Sequence, residues 1–255
     1  MKYKLIRHAT AKLDFGGTCF LLDPWFAAKG KGLSYAGKVN SPLIDMPCKM
    51  WEAESRADCV LLSHLHSDHF DKEAADFLDK DRPLFFPACD AGAPLLAEFV
   101  DLRPVDGTGL YNEVAFEHIP GRHGHSEAVL ADMGESGGYV FMAAGEPTVY
   151  WTGDTVWCDE VKKTIDIYQP QVIIVHGGGA LWNGEEITMG TEDVLAVCKA
   201  APGAKVIAVH FETTDHASVT RADLRKAADA AGISPQQLLI PADGEEIVIM
   251  QETAF

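Results

Sequence analysis

The sequence predicts an α+β fold in which mixed β-sheets carry helices on their outer faces. Apolar runs in the first half follow one another closely through hairpin turns, whereas strands and helices alternate in the second half. Sheets with both faces covered produce this mixture. No Ser-, Pro- or Gly-rich linker divides the 255 residues, so we expect a single domain over residues 1–255.

Short apolar runs closed by Gly, Pro or Asp predict the strands. They span residues 3–6, 12–15, 19–22, 59–63, 84–86, 114–118, 139–143, 148–151, 172–175, 206–209, 238–240 and 246–250. The letters DFGGT between the second and third runs predict a hairpin turn, because glycine adopts positive φ at little cost.

Helical patterns occupy several of the intervals between strands. They span residues 71–79, 159–168, 192–200 and 220–231. The last begins with T-R-A-D, which has the spacing of a capping box with Asp in place of Glu. Residues 28–40 and 131–138 contain glycines and are interpreted as loops that act as flaps.

Composition excludes several classes of protein. The chain has 21 Lys and Arg against 38 Asp and Glu, a formal charge of −17, so nucleic acid is not an expected partner. No apolar stretch approaches the roughly 20 residues of a membrane span, and the first residues do not resemble a signal peptide. Six cysteines without a C-x-x-C pair predict neither a zinc knuckle nor a disulfide framework. We expect a soluble, reduced, cytoplasmic protein.

The segment LLSHLHSDHFD, residues 61–71, predicts a metal site. His64, His66, Asp68 and His69 form H-x-H-x-D-H directly after an apolar run. Nitrogen and carboxylate donors suit zinc, manganese or iron. Alternate residues of a strand point the same way, so His64 and His66 can share one ion while Asp68 and His69 reach a second. The alternative is a polar loop that contains these histidines by chance. Three histidines within six positions favour the metal site over that loop.

Further ligands are expected where other strands end, because α/β proteins gather ligands at that rim. The candidates are His123 and His125 in IPGRHGHSE, Asp154 in TGDT, and His210 and His216 in VHFETTDH. HFETTDH is not H-E-x-x-H, which excludes the helical zincin site.

These motifs together resemble the metallo-β-lactamase superfamily. The resemblance extends over nearly the whole chain, and RHATAKLDFGGTCFLLDPWF and HFETTDHASVTRADLR are similar to the branch that includes L-ascorbate-6-phosphate lactonase. It implies a four-layer αβ/βα sandwich of two mixed sheets with outer helices and metal ions at one edge. It further implies a dinuclear hydrolase in which a metal-bound hydroxide attacks a small ester, lactone or phosphoester.

The resemblance also implies a role for each ligand. His64, His66 and His123 would hold the first divalent ion, Asp68, His69 and His210 would hold the second, and Asp154 would bridge them. The two ions would be zinc or manganese. Asp68 or the bridging hydroxide would act as base or nucleophile.

Two choices between neighbouring histidines remain. We favour His123 over His125 as the ligand, with His125 left to contact substrate or support the site. We favour His210 over His216, with His216 left to orient substrate or to lie on the surface. His176 departs from the pattern of the lactonase-like branch, which more often has a small or amide residue at this position. It is either a proton donor to the leaving group or a strand-end histidine bonded to backbone.

Three further residues are candidates for supporting or substrate-contacting roles. Asp23 in LLDPW is expected to brace the metal loop, with a turn residue as the alternative. Arg122 would meet an anionic substrate group or be solvated. Trp182, after a run of glycines, would form a wall for substrate or belong to the core.

Other functions fit parts of the pattern. A mononuclear iron dioxygenase acting on a thiol has an overlapping ligand set, and a small-molecule phosphodiesterase also fits. The diiron flavoproteins of the superfamily carry Glu where this chain has His66, which argues against them. A non-catalytic metal-binding protein is disfavoured because every expected ligand is present. We expect a small-molecule substrate as the partner, and the resemblance is compatible with homo-oligomers.

Overall fold

Two seven-stranded sheets dominate residues 1–250, which are the residues that the computed structural model describes. The strands are β1 (Lys2–Arg7), β2 (Thr10–Phe15), β3 (Thr18–Leu22), β4 (Cys59–Leu61), β5 (Leu84–Pro87), β6 (Leu102–Val105), β7 (Thr108–Tyr111), β8 (Val114–Pro120), β9 (Gly137–Met142), β10 (Val149–Trp151), β11 (Val172–His176), β12 (Leu181–Trp182), β13 (Glu185–Glu186), β14 (Lys205–Val209), β15 (Leu238–Leu239) and β16 (Glu246–Val248). One sheet has the order β16-β1-β2-β3-β4-β5-β6 and the other β15-β14-β11-β10-β9-β8-β7. Both are mixed, with β12 and β13 forming a separate hairpin.

Helices cover the outer faces of both sheets. They are α1 (Met50–Glu54), α2 (Lys72–Phe77), α3 (Glu127–Met133), α4 (Asp159–Tyr168), α5 (Thr191–Ala200) and α6 (Arg221–Ala230). Apolar residues of α1 and α2 pack with the first sheet, and those of α4, α5 and α6 pack with the second. None of the helices described is both long and apolar enough to cross a membrane.

The inner faces of the two sheets pack against each other through aromatic side chains. Phe20 of the first sheet contacts Phe116 and Phe141 of the second, with ring centroids 5.9 and 5.5 Å apart. Such edge-to-face pairs add to the gain from burying the rings. The result is a helix–sheet–sheet–helix sandwich, which confirms the predicted fold.

The local predictions hold where a strong signal supported them. Gly16 and Gly17 turn between β2 and β3 with φ of 55° and 78°. Thr220 caps α6, and its side chain and that of Asp223 bond reciprocally, as T-R-A-D predicted. The pattern at 159–168 is α4 itself, and each of the twelve predicted strands overlaps an observed one.

Two edge strands, the hairpin β12–β13 and the helices α1 and α3 were not predicted from the sequence, and one segment was misjudged. β6 and β7 lie at the edges of their sheets, and Pro104 and Gly109 interrupt the apolar pattern that marks a strand. The segment 131–138, interpreted as a flap, contains the end of α3 and the start of β9. Ser126 caps α3 by accepting from the Val129 N–H, and Gly134 ends it with a φ of 74°.

Strand direction brings the polar residues that follow many strands to one edge of the sandwich. β3 and β4 are parallel, as are β10, β11 and β14. β1 has the same direction as β3 because both are antiparallel to β2. For the same reason β8 has the direction of β10, since both are antiparallel to β9. The residues at or just past these ends are His8, Asp23, His64, His123, Asp154, His176 and His210.

Candidate metal centre

Three histidines form the first group of potential ligands. One ring nitrogen from each of His64, His66 and His123 lies within 4.8 Å of the others. His123 Nε2 is 3.3 Å from His66 Nδ1. His123 is 2% exposed, whereas His125 lies on the surface. The structure therefore brings His123, and not His125, to this group.

The second group contains three residues proposed from the sequence and one that was missed. His8, Asp68, His69 and His210 each place a ligand atom within 4.8 Å of the others. His8 Nε2 lies 3.2 Å from Asp68 Oδ2, and the His8 ring lies against the His210 ring with centroids 3.5 Å apart. His8 directly follows β1, so the rule that located His210 at a strand end would also have located His8.

Asp154 lies between the two groups. Its Oδ2 is 3.5 Å from His123 Nε2 and 3.2 Å from His69 Nε2. Its Oδ1 is 3.7 Å from His210 Nε2. One carboxylate thus faces nitrogens of both groups, which is the position that a bridging ligand requires.

Hydrogen bonds fix which ring nitrogen of the histidines faces the centre. Ser63 Oγ donates its proton to Asp23 Oδ2 at 2.6 Å and lies 2.9 Å from His64 Nδ1. Because the hydroxyl proton is already used, His64 Nδ1 must be the protonated nitrogen and donates to Ser63 Oγ. His123 Nδ1 donates to the Ile187 carbonyl at 2.5 Å, and His66 Nε2 donates to the Met133 carbonyl at 2.9 Å. Each ring therefore presents an unprotonated nitrogen to the first group, as metal ligation needs.

Burial supports the same protonation states. It lowers the pKa of His64 and of His210 well below the usual value and lowers the pKa of His123 to about 4. His64 Nε2 and His210 Nε2 are buried and have no hydrogen-bond partner in the described part of the chain. Neutral imidazoles with free nitrogens and two carboxylates form a donor set that fits divalent ions such as zinc or manganese.

Asp23 braces this edge, as the sequence suggested. Its side chain is fully buried and accepts hydrogen bonds from the Ser63 N–H at 2.7 Å, from Ser63 Oγ, and from His69 Nδ1 at 2.7 Å. The bond from His69 leaves its Nε2 turned toward Asp154. Asp23 thereby supports a candidate ligand in each group, His69 directly and His64 through Ser63.

His176 takes a position that neither sequence interpretation described. The side chain is fully buried, and Trp151 Nε1 donates to its Nε2 at 3.0 Å. Its Nδ1 must then carry the proton, which it donates to Asp154 Oδ1 at 2.6 Å. Because both ring nitrogens are engaged, this geometry suits a residue that positions Asp154 and does not suit a proton donor to a leaving group.

Contacts with neighbouring residues define the positions of Arg122, Trp182 and His216. The Arg122 guanidinium donates to the His125 carbonyl at 2.6 Å and lies 3.6 Å from Glu127, so it is used within its own loop. Trp182 Nε1 donates to Asp132 at 3.0 Å. His216 is 7% exposed and stacks against Tyr35 with centroids 4.9 Å apart.

The choice between His123 and His125 yields a direct prediction. His123→Ala is expected to lower metal affinity by about 10-fold to 100-fold or more. Removing a residue that only hydrogen-bonds a metal ligand already lowers the affinity by that factor, and His123 is proposed as a ligand itself. His125→Ala is its matched control and should retain wild-type metal content. Metal competition titration on both variants measures this, and equal losses would contradict the assignment.

The sequence of this chain is similar to those of known proteins over most of its length. The model of the β-lactamase superfamily domain matches residues 18–211. The UPF0173 protein YddR of Bacillus subtilis is 32% identical over 251 residues, covering 96% of this chain and 98% of that protein. A UPF0173 metal-dependent hydrolase of Methylobacterium nodulans is 27% identical and covers 98% of this chain and 100% of its own.

A solved structure gives a full-length likeness as well. The isothiocyanate hydrolase from Delia radicum gut bacteria superposes with a TM-score of 0.92 at 31% identity. The match covers 98% of this chain and 99% of that one. Both the architecture and the chain length are therefore shared with that protein.

Proposed function

Because this chain belongs to the metallo-β-lactamase superfamily of metal-dependent hydrolases, we propose that it hydrolyses a small electrophilic molecule at the centre formed by its two ligand groups. We assign two zinc or manganese ions to that centre, one to each group. The observation that carries the proposal is the position of Asp154, whose two carboxylate oxygens face histidines of both groups.

The residues of the chain prepare this centre for hydrolysis. When bound, divalent ions at such a site lower the pKa of water and polarise the group under attack. Burial alone would raise the pKa of Asp68, but the hydrogen bond from His8 and the nearby His69 hold it well below its usual value. Asp68 is therefore ionised, and it serves as a ligand that can also accept a hydrogen bond from attacking water.

We propose an isothiocyanate, R–N=C=S, as the substrate class. This rests on the 31% identity to the isothiocyanate hydrolase over nearly the whole chain. The central carbon is electrophilic, and water converts the molecule to an amine and carbonyl sulfide, R–NH₂ and COS. A cavity of about 610 Å³ beside His123, lined in part by Val105, Pro120 and Leu130, has room for a small organic R group.

The experiment compares substrates on one preparation of protein. Benzyl isothiocyanate, an aliphatic lactone and a phosphodiester are each incubated with zinc-loaded, manganese-loaded and chelator-treated enzyme. We expect benzylamine and carbonyl sulfide to be released only by a metal-loaded form. Preferred hydrolysis of the lactone would instead support the lactonase-like assignment, and oxygen consumption with bound iron would overturn the hydrolase.

A further inference from the structure

One carboxylate fastens the loop 28–40 to the segment that follows β14. Asp215 belongs to that segment, and its side chain is the acceptor in each contact. It accepts hydrogen bonds from Ser34 Oγ at 2.6 Å and from the backbone N–H groups of Tyr35, Ala36, Lys38 and Val39 at 2.8–3.1 Å. The loop therefore has one defined conformation although it contains neither helix nor strand.

This fastening places the Tyr35 side chain against the segment that carries the metal motif. The ring stacks on His216 at an interplanar angle of 28°. The hydroxyl lies 2.8 Å from Ser67 Oγ, and Ser67 stands between His66 and Asp68 in the metal motif. A phenol from a remote loop thus reaches the rim formed by two predicted ligands.

One polar atom of the ring stacked on Tyr35 lacks a hydrogen-bond partner in the part of the chain that the structure describes. His216 is 7% exposed, and its Nδ1 is buried without a hydrogen-bond partner among residues 1–250. Buried polar groups are normally hydrogen-bonded, so an unsatisfied atom beside a proposed reaction centre points to a ligand.

We propose that Tyr35 and His216 form a substrate-contacting pair that hydrogen-bonds the polar atoms of the substrate, with Asp215 holding the pair in place. The inference rests on the proposed function and deepens it, because a linear N=C=S group offers a nitrogen and a sulfur on either side of the attacked carbon. The metal groups face one end of that unit. The Tyr35 hydroxyl and His216 Nδ1 face the other, where negative charge develops as water adds.

The test uses two probes on the metal-loaded protein. Benzyl isothiocyanate reports turnover, and thiocyanate ion, which has the same linear N–C–S unit but is not hydrolysed, reports binding by calorimetry. A hydrogen bond to a charged group contributes about 1.5–3 kcal/mol, so we expect Tyr35→Phe to weaken thiocyanate binding and lower kcat/KM by roughly 10-fold to 100-fold. His216→Ala should act in the same direction.

Controls separate contact with substrate from structural damage. Tyr111→Phe also removes a tyrosine hydroxyl, but this one bonds the Asp58 carbonyl and none of the candidate ligands. The variant should keep wild-type thiocyanate binding and wild-type turnover. Metal content and Tm are measured on every variant and should match the wild type for Tyr35→Phe. Asp215→Ala should impair both probes. It should also speed trypsin cleavage at the exposed Lys29, Lys31 and Lys38, because the released loop can enter the protease active site.

The outcomes distinguish this inference from the proposed function. Weaker thiocyanate binding in Tyr35→Phe without any isothiocyanate turnover by the wild type would support the pair and refute the substrate class. Wild-type affinity and turnover in both Tyr35→Phe and His216→Ala, with isothiocyanate hydrolysed, would refute the pair alone. A wild-type protein that neither binds thiocyanate nor hydrolyses isothiocyanate would overturn both.

Discussion

Asp154→Ala is expected to abolish assembly of the metal centre, with bound metal falling from about two ions per chain and hydrolysis falling at least about 10³-fold. The reason is geometric, since its carboxylate is the group that faces both sets of histidines, with Oδ2 3.5 Å from His123 Nε2 and Oδ1 3.7 Å from His210 Nε2. Without it, no carboxylate of the described chain would face the histidines of both groups and offset the repulsion between two bound cations.

The measurement is metal analysis by mass spectrometry on protein purified without a histidine tag, together with turnover of benzyl isothiocyanate. Asp166→Ala is the matched control, because Asp166 is exposed on α4 and contacts none of the ligands. If Asp154→Ala retains both metal content and hydrolysis while folding normally, the bridging assignment is wrong. One iron per chain in the wild type would favour the oxygenase interpretation.

Asp23→Ala is expected to have the second largest effect, and it acts on stability as well as on metal binding. The substitution leaves the Ser63 N–H, the Ser63 hydroxyl and His69 Nδ1 without their buried acceptor. Breaking a buried network of this kind costs about 3–5 kcal/mol. Metal affinity should also fall roughly 10-fold to 100-fold, because Asp23 supports a candidate ligand in each group.

Urea unfolding of the chelator-treated protein measures the stability effect, and competition titration measures the affinity. Asp76→Ala provides the comparison, since its carboxylate is 58% exposed and pairs with Lys72 along α2. An exposed pair contributes about 0–1 kcal/mol, so this variant should unfold near the wild-type midpoint. An Asp23→Ala protein that matched Asp76→Ala in both measurements would show that Asp23 is only a turn residue.

Local sequence signals were sufficient for much of the architecture. The glycines of DFGGT specify a tight turn through positive φ, and Thr220 with Asp223 specifies a helix start through two reciprocal bonds. Apolar runs predicted the central strands, and β3, β4 and β11 gave the clearest signal because a strand buried on both faces must be apolar along its length. β6 and β7 were not predicted because most of their residues are exposed or half-buried, and because Pro104 and Gly109 interrupt the apolar pattern.

The spacing of H-x-H-x-D-H identified a metal motif by chemistry that is local to six residues. His8 was missed because it stands alone in R-H-A-T, about 60 residues before its partner Asp68. Its role depends on β1 running parallel to β3 across an intervening antiparallel strand. The position of His8 directly after β1 could be inferred from the strand-end rule. Its partner Asp68 could not, because the pairing of strands is a long-range property that the residue pattern of one strand does not encode.

The sequence by itself determined the layered α+β fold, the metal-binding character of residues 64–69 and the set of residues from which further ligands would come. Only the tertiary structure decided that His123 and not His125 joins the first group, that His176 holds Asp154, and that Tyr35 reaches Ser67. The physical reason is that side-chain type can be recognised from a short stretch of chain. The hydrogen-bond partners that fix a tautomer or seat a loop come from residues tens to hundreds of positions away.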